Sequence, residues 1–223
     1  MSLPHPASMS VQPLEESSMP TWNTRSRTVP LIGTAIGVLW IATQLVADLV
    51  VVGDPDPVGD PAGAQQSLLD HQPAAFATII GAAYIAVLLV FFAAAIRRSL
   101  GDSAMASASL GGGVLLAIAL TTNALGNFAT LSAARHDDIQ AMTTLGYAAQ
   151  SAWPLLSVGS SIFLLATGIG ALRVQALPRW LARLTIGLGV LCLLGPAFFV
   201  FWLVAPLWFA AVGLTLETHN YPA

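Results

Sequence analysis

The chain contains no lysine, and its eight basic side chains are all arginine. Charged residues of both signs make up 9% of the sequence, against roughly 25% in an ordinary soluble domain. Without lysine there is neither a retinal Schiff base nor the lysine of a phosphate-binding P-loop. A single cysteine, Cys192, lies in an apolar run, so no intramolecular disulfide and no thiolate metal cluster can form. The zinc signature HExxH is missing, and the glycines at 111–113 lack the GxGxxG spacing of a dinucleotide site. None of the four histidines falls in a predicted span, which argues against a haem held between transmembrane histidines. No serine–histidine or cysteine–histidine pair shares one depth. These absences point to a chain that is not an enzyme, carries no cofactor and has no nucleic-acid partner.

What is present is apolar. Hydrophobic residues make up 56% of the sequence, and a soluble domain needs far more surface charge than this chain has. The bilayer is the solvent that tolerates such a composition. The fold class is therefore all-α, an integral membrane helical bundle. About 20 apolar residues are needed to cross a hydrocarbon core of roughly 30 Å. Leu31 to Val52, Ala74 to Ile96 and Met105 to Asn127 each meet that need. Two longer stretches follow, Ile139 to Leu172 and Leu184 to Leu216. In the first, Trp153-Pro154 separates a helical approach over 139–150 from a span over 153–172. In the second, the prolines predict a span over 184–204 and a short interfacial segment over 207–216. This gives five transmembrane helices within a bundle at 30–217, with six still possible. Residues 1–29, rich in proline and without an apolar run, read as a disordered cytoplasmic tail rather than a signal peptide. Residues 218–223 form a short second tail.

The arginines orient this bundle. Arg25, Arg27, Arg97, Arg98, Arg173, Arg179 and Arg183 fall on alternate loops, and only Arg135 falls on the other side. The loop from Val52 to Pro73 holds four aspartates and no arginine. By the positive-inside rule the N-terminus is cytoplasmic, and five spans put the C-terminus outside. Trp22 and Trp180 read as an inner aromatic belt, Trp153, Trp202 and Trp208 as an outer one, with Trp40 alone at mid-depth.

A few polar residues sit where the bilayer disfavours them. Gly33, Gly37, Trp40, Gln44 and Asp48 share one face of the first span. Gly33 and Gly37 form a GxxxG, which lets another helix approach closely. Asp48 falls in the last turn, where the helix dipole disfavours a negative charge. On the third span Gly112, Ala119, Asn123 and Asn127 form a similar face, and Gln150 arrives at similar depth from the next stretch. Two readings stand. In one, these faces hold helices together; in the other, Gln44, Asp48, Asn123, Asn127 and Gln150 line an outward polar cup that binds a small ligand or cation. His71, His136 and Asp137 are candidate metal ligands on chemistry alone. No two histidines have the close spacing of a metal motif, so no metal site is expected.

Three local features resemble small, uncharacterised multi-pass membrane proteins of high-GC Gram-positive bacteria. They are the Arg97-Arg98 stop, the entry Leu177-Pro178-Arg179-Trp180, and the element Pro206-Leu207-Trp208. The likeness covers most of Leu31 to Leu216 and implies no activity and no catalytic residue. The functional expectation is a non-enzymatic accessory or sensor-like component in a bacterial plasma membrane. Its partners are the lipid bilayer and either another membrane protein or further copies of itself. The alternative is a binding or transport protein built on the cup around Asp48.

Overall fold

A computed structural model describes residues 28–50, 60–194 and 198–219 of the chain. Of the tails read over 1–29 and 218–223, residues 1–27 and 220–223 lie outside them, and the rest belong to the first and last helices. Eight helices are seen among the described residues, and no strand: α1 (Thr28–Val50), α2 (Pro61–Asp70), α3 (Gln72–Ser99), α4 (Ala104–Arg135), α5 (Ile139–Gln150), α6 (Trp153–Val174), α7 (Arg179–Leu193) and α8 (Phe198–His219). Five stretches are long and apolar enough to cross a membrane: α1, α3, α4, the continuous run of α5 and α6, and α8. The protein is an all-α, multi-pass membrane bundle.

Six helices close into a ring in the order α1, α3, α4, α6, α7, α8, and α8 returns to α1. Glycines show the direction of each contact, because each lets a neighbouring helix approach where a side chain would not fit. A Cβ on Gly33 would lie 2.5 Å from the carbonyl of Phe209, and one on Gly37 would lie 2.7 Å from that of Pro206. As α1 rises, α8 descends. The same pairing of rising with falling numbers sets Gly81 on Thr43, Gly113 on Ala93, Gly159 on Leu116, and Gly168 and Gly189 on Ala182 and Leu165. Neighbours around the ring are antiparallel throughout. Gly213 of α8 consequently lies against Val29 and Pro30, at the end where α1 begins.

This arrangement changes the reading of the last apolar stretch. The break falls at Leu194, and α8 runs unbroken through Pro206. Proline interrupts a helix by removing one N–H and crowding the preceding turn. Inside a bundle, neighbouring helices hold such a turn in place. Here Gly37 brings the α1 backbone under the Pro206 carbonyl. With 15 residues, α7 covers about 22 Å and is not among the five stretches long enough to span, yet it takes a sixth place in the antiparallel ring. The described chain therefore ends at the end of the bundle where α1 starts, not at the opposite one.

Aromatic side chains fill the ring. Trp208 of α8 meets Phe92 of α3 at 6.4 Å and Phe163 of α6 at 5.8 Å between ring centroids. Its indole Nε1 donates to the Thr185 hydroxyl of α7 at 2.8 Å. Trp208 is thus a core residue, 2% exposed, rather than part of an interfacial belt. The belt assignment failed because the neighbouring proline suggested a helix end. Trp40 is buried and packs on Phe201, Trp202 and Phe209. Trp153 and Trp202 meet at a tilt, 5.6 Å between ring centroids, near one end, and Trp180 is exposed at the other.

The two ends differ in charge. Arg97, Arg98, Arg173, Arg179 and Arg183 gather with Asp102 at the end where α3 and α6 stop and α4 and α7 start. The opposite end carries Asp60, Asp70, Asp137, Asp138 and Arg135. There α4 runs on beyond its predicted end at Asn127, and α2 and α5 pack on its last turns through Ala64, Ala134 and Met142. The short helix α2 follows from Asp60-Pro61. The Asp60 side chain accepts from the backbone N–H of Gly63 at 2.9 Å, and proline occupies the first helical turn, where no hydrogen bond is lost.

Candidate functional site

The polar faces of α1 and α4 are built by the packing just described, and they divide between structural use and open surface. Gly33 and Gly37 serve α8, and Gly112 of α4 meets the backbone of α6 at Ile162 and Phe163. Higher on α4, Asn123 donates to the carbonyl of Ala149 on α5 at 3.3 Å, and Asn127 donates to the Asn123 side chain at 3.1 Å. Gly126 lets Ala149 sit directly against α4. The Asn123 amide therefore ties α5 to α4, and Asn127 braces it from the next turn of α4. Gln150 follows Ala149 and is exposed.

Gln44 does not join them. It is half-buried on α1, whose ring neighbours are α3 and α8, and α3 stands between α1 and α4. No hydrogen bond links Gln44 to the amides of α4 among the described residues. Asp48 belongs to the last turn of α1, and its side chain lies outside the described residues. The structure thus brings Asn123, Asn127 and the end of α5 together and leaves Gln44 on a different interface.

The candidate metal ligands are held locally. His71 Nδ1 lies 2.9 Å from the carbonyl of Ser67, and His136 Nδ1 lies 2.8 Å from that of Ser132. A carbonyl only accepts, so each Nδ1 carries the proton. Asp137 accepts from the Gln65 side chain at 2.9 Å. No group of three His, Cys, Asp or Glu residues is gathered among the described residues.

A cleft of about 320 Å³ opens at the acidic end between α3 and α4. Phe76, Phe128, Leu131, Ser132, Arg135 and His136 line it. Sequence reasoning missed this site, although its signal is regular. Phe128, Leu131, Ser132 and Arg135 follow the i, i+3, i+4, i+7 spacing of one helix face. Treating Asn127 as the end of the span hid it, since the face lies on the continuation of α4. Phe76 packs against Phe128 at 6.2 Å, and the Arg135 guanidinium lies 5.7 Å from the Phe76 ring centre. A second recess, lined by Ala94, Arg97, Arg98, Gly101, Asp102 and Leu110, opens at the arginine-rich end.

Comparison with protein-family models, with curated proteins and with solved structures finds no match. Function must be argued from the geometry alone. Among the described residues, bulky side chains such as Trp40, Phe92, Phe163 and Trp208 are buried within the ring, and the two clefts lie toward its two ends.

Proposed function

We propose that the chain is a non-enzymatic accessory or sensor-like component of a membrane complex. In this reading it sits in a bacterial plasma membrane with its N-terminus cytoplasmic. One observation carries the reading: Trp208 fills the ring interior against Phe92 and Phe163 and is tied to Thr185. A carrier needs a hydrated path reaching mid-depth, and bulky aromatics occupy that position. Small residues bring the helices close, as expected where bilayer helices associate by packing rather than by hydrophobic force.

The orientation rests on charge. Five of the described arginines share one end, which the positive-inside rule assigns to the cytoplasm. The rival reading, ligand binding or transport through a cup around Asp48, needs the α1 and α4 polar faces on one cavity. The ring order, with α3 between them, gives it less support.

The test is gentle affinity purification from native membranes, followed by mass measurement of the intact complex. A second protein in fixed stoichiometry is the expected result. Recovery as a lone chain contradicts the proposal.

A further inference from the structure

We propose that the cleft between α3 and α4 at the acidic end binds an acidic amphiphile: a carboxylate or phosphate head carried on an acyl chain. The site goes beyond the accessory reading and does not depend on it, since a chain without a partner would hold the same ligand.

The case begins with Arg135. It is the only basic residue among those described at an end that otherwise carries aspartates. The nearest acids in sequence are already engaged. Asp137 accepts from Gln65, and Asp138 caps α5 by accepting from the backbone N–H of Ala141 at 2.9 Å. The turn between the helices enforces this separation. Asp137 adopts a left-handed φ of 59°, with its N–H on the Ala134 carbonyl and that of Asp138 on the Ala133 carbonyl. This pattern closes a helix C-terminus and turns the chain away from it. Among the described residues Arg135 pairs with no carboxylate and rests on the face of Phe76. A guanidinium stacked on an aromatic ring keeps its N–H edge available for an anion.

A further donor lines the same cleft. Ser132 contributes a hydroxyl to its lining, and the His136 ring, whose Nδ1–H is committed to the Ser132 carbonyl, closes one side with Nε2 as an acceptor. The remaining walls are Phe76, Phe128 and Leu131. One cation and a hydroxyl against three apolar side chains suit a charged head on a greasy body. The volume, about 320 Å³, is at the lower end of the roughly 300–1,000 Å³ of small-molecule sites. It holds a head group and the first part of a chain.

The rest of the chain has a place to lie. Phe128 is 48% exposed, and Leu125, one turn nearer the bundle middle on the same face of α4, is 64% exposed. The cleft therefore continues into lipid-facing surface. A ligand that enters sideways from the bilayer meets Leu125 and Phe128 with its acyl chain and Arg135 with its head.

The experiment uses the full chain in phosphatidylcholine nanodiscs and measures competition against radiolabelled dodecanoate. Unlabelled dodecanoate and dodecyl phosphate are expected to compete. Dodecanol and inorganic phosphate, which lack the head or the chain, are not. Competition by dodecanoate alone assigns a fatty-acid head, and equal competition by dodecyl phosphate extends the site to phosphate heads. Arg135→Gln is expected to weaken dodecanoate binding about tenfold or more, the scale of one lost charge-assisted hydrogen bond. Phe128→Ala is expected to weaken it as well, and Arg98→Gln, at the opposite end, to leave it unchanged. Arg135 is exposed, so its variant should fold, and a melting curve checks this. Equal competition by dodecanol, or wild-type binding by folded Arg135→Gln, overturns the proposal.

Discussion

The Trp208 indole N–H donates to the Thr185 hydroxyl at 2.8 Å, and both side chains are buried. This bond links α8 to α7, the two helices that the sequence does not separate clearly. Thr185 in turn donates its hydroxyl hydrogen bond to the Leu181 carbonyl at 2.8 Å, so the indole completes a short chain of donors. Thr185→Val keeps the shape and leaves the indole N–H unpaired. It is expected to destabilise the protein by about 1 kcal/mol, between the roughly 0.6 kcal/mol average of bilayer hydrogen bonds and the 1–3 kcal/mol of a stranded buried donor. Denaturant titration in mixed micelles measures it. Adding Trp208→Phe should give less than the sum of the two single effects, because the second change removes the stranded donor.

Gly33 and Gly37 set the distance between α1 and α8. Gly37→Ala places a methyl group 2.7 Å from the Pro206 carbonyl, a backbone atom that cannot rotate away. The helices must part, at a cost of about 1–3 kcal/mol. Gly187→Ala is the control, since a Cβ there meets nothing within 4 Å. It is expected to be neutral, or to stabilise by up to about 1 kcal/mol through helix propensity. Equal losses at the two sites would contradict the packing described.

Gln175 ends α6 with a φ of 56°, and the N–H of Ala176 bonds to the Ala171 carbonyl across it. A side chain in this left-handed region costs roughly 1–2 kcal/mol, which glycine avoids. Gln175→Gly should therefore raise thermal stability by about 1 kcal/mol, read as a higher melting temperature in detergent.

Six antiparallel helices bring the described chain back to the end where α1 starts. Reporter fusions at the two termini, one active only in the cytoplasm and one only outside, should score both termini as cytoplasmic. A C-terminal fusion scoring outside would restore the five-traverse reading.

The sequence made some of this legible and concealed the rest for physical reasons. Apolar runs such as Ala74 to Ile96 exceed the bilayer thickness without a charge, so α3 and its like are read directly. Leu184 to Leu216 contains no charge to mark a turn, and its two prolines look alike in sequence; Pro206, supported by Gly37, stays inside a helix, and Pro196 lies outside the described residues. A GxxxG identifies a packing face but not the helix that packs there, so the α1–α8 contact appeared only in three dimensions. The cup around Asp48 was inferred from depth and helical phase. Those two quantities do not fix the order of helices around the ring, and that order puts α3 between Gln44 and Asn123. The amphiphile cleft was readable from the spacing of Phe128 to Arg135, had the helix been continued past Asn127.

The account depends most on a ring interior closed to water. The direct measurement places single cysteines at Ser109, Ser160 and Thr185, all buried, in a Cys192→Ser background. Each is then exposed to a membrane-impermeant thiol reagent applied from both sides. Cysteines at the exposed positions Ser103 and Ser151 report labelling at the two ends. Modification at Ser103 and Ser151 with none at the three interior positions is the expected result. Rapid modification at Ser109, Ser160 or Thr185 in folded protein would reveal a hydrated path through the bundle and contradict the account.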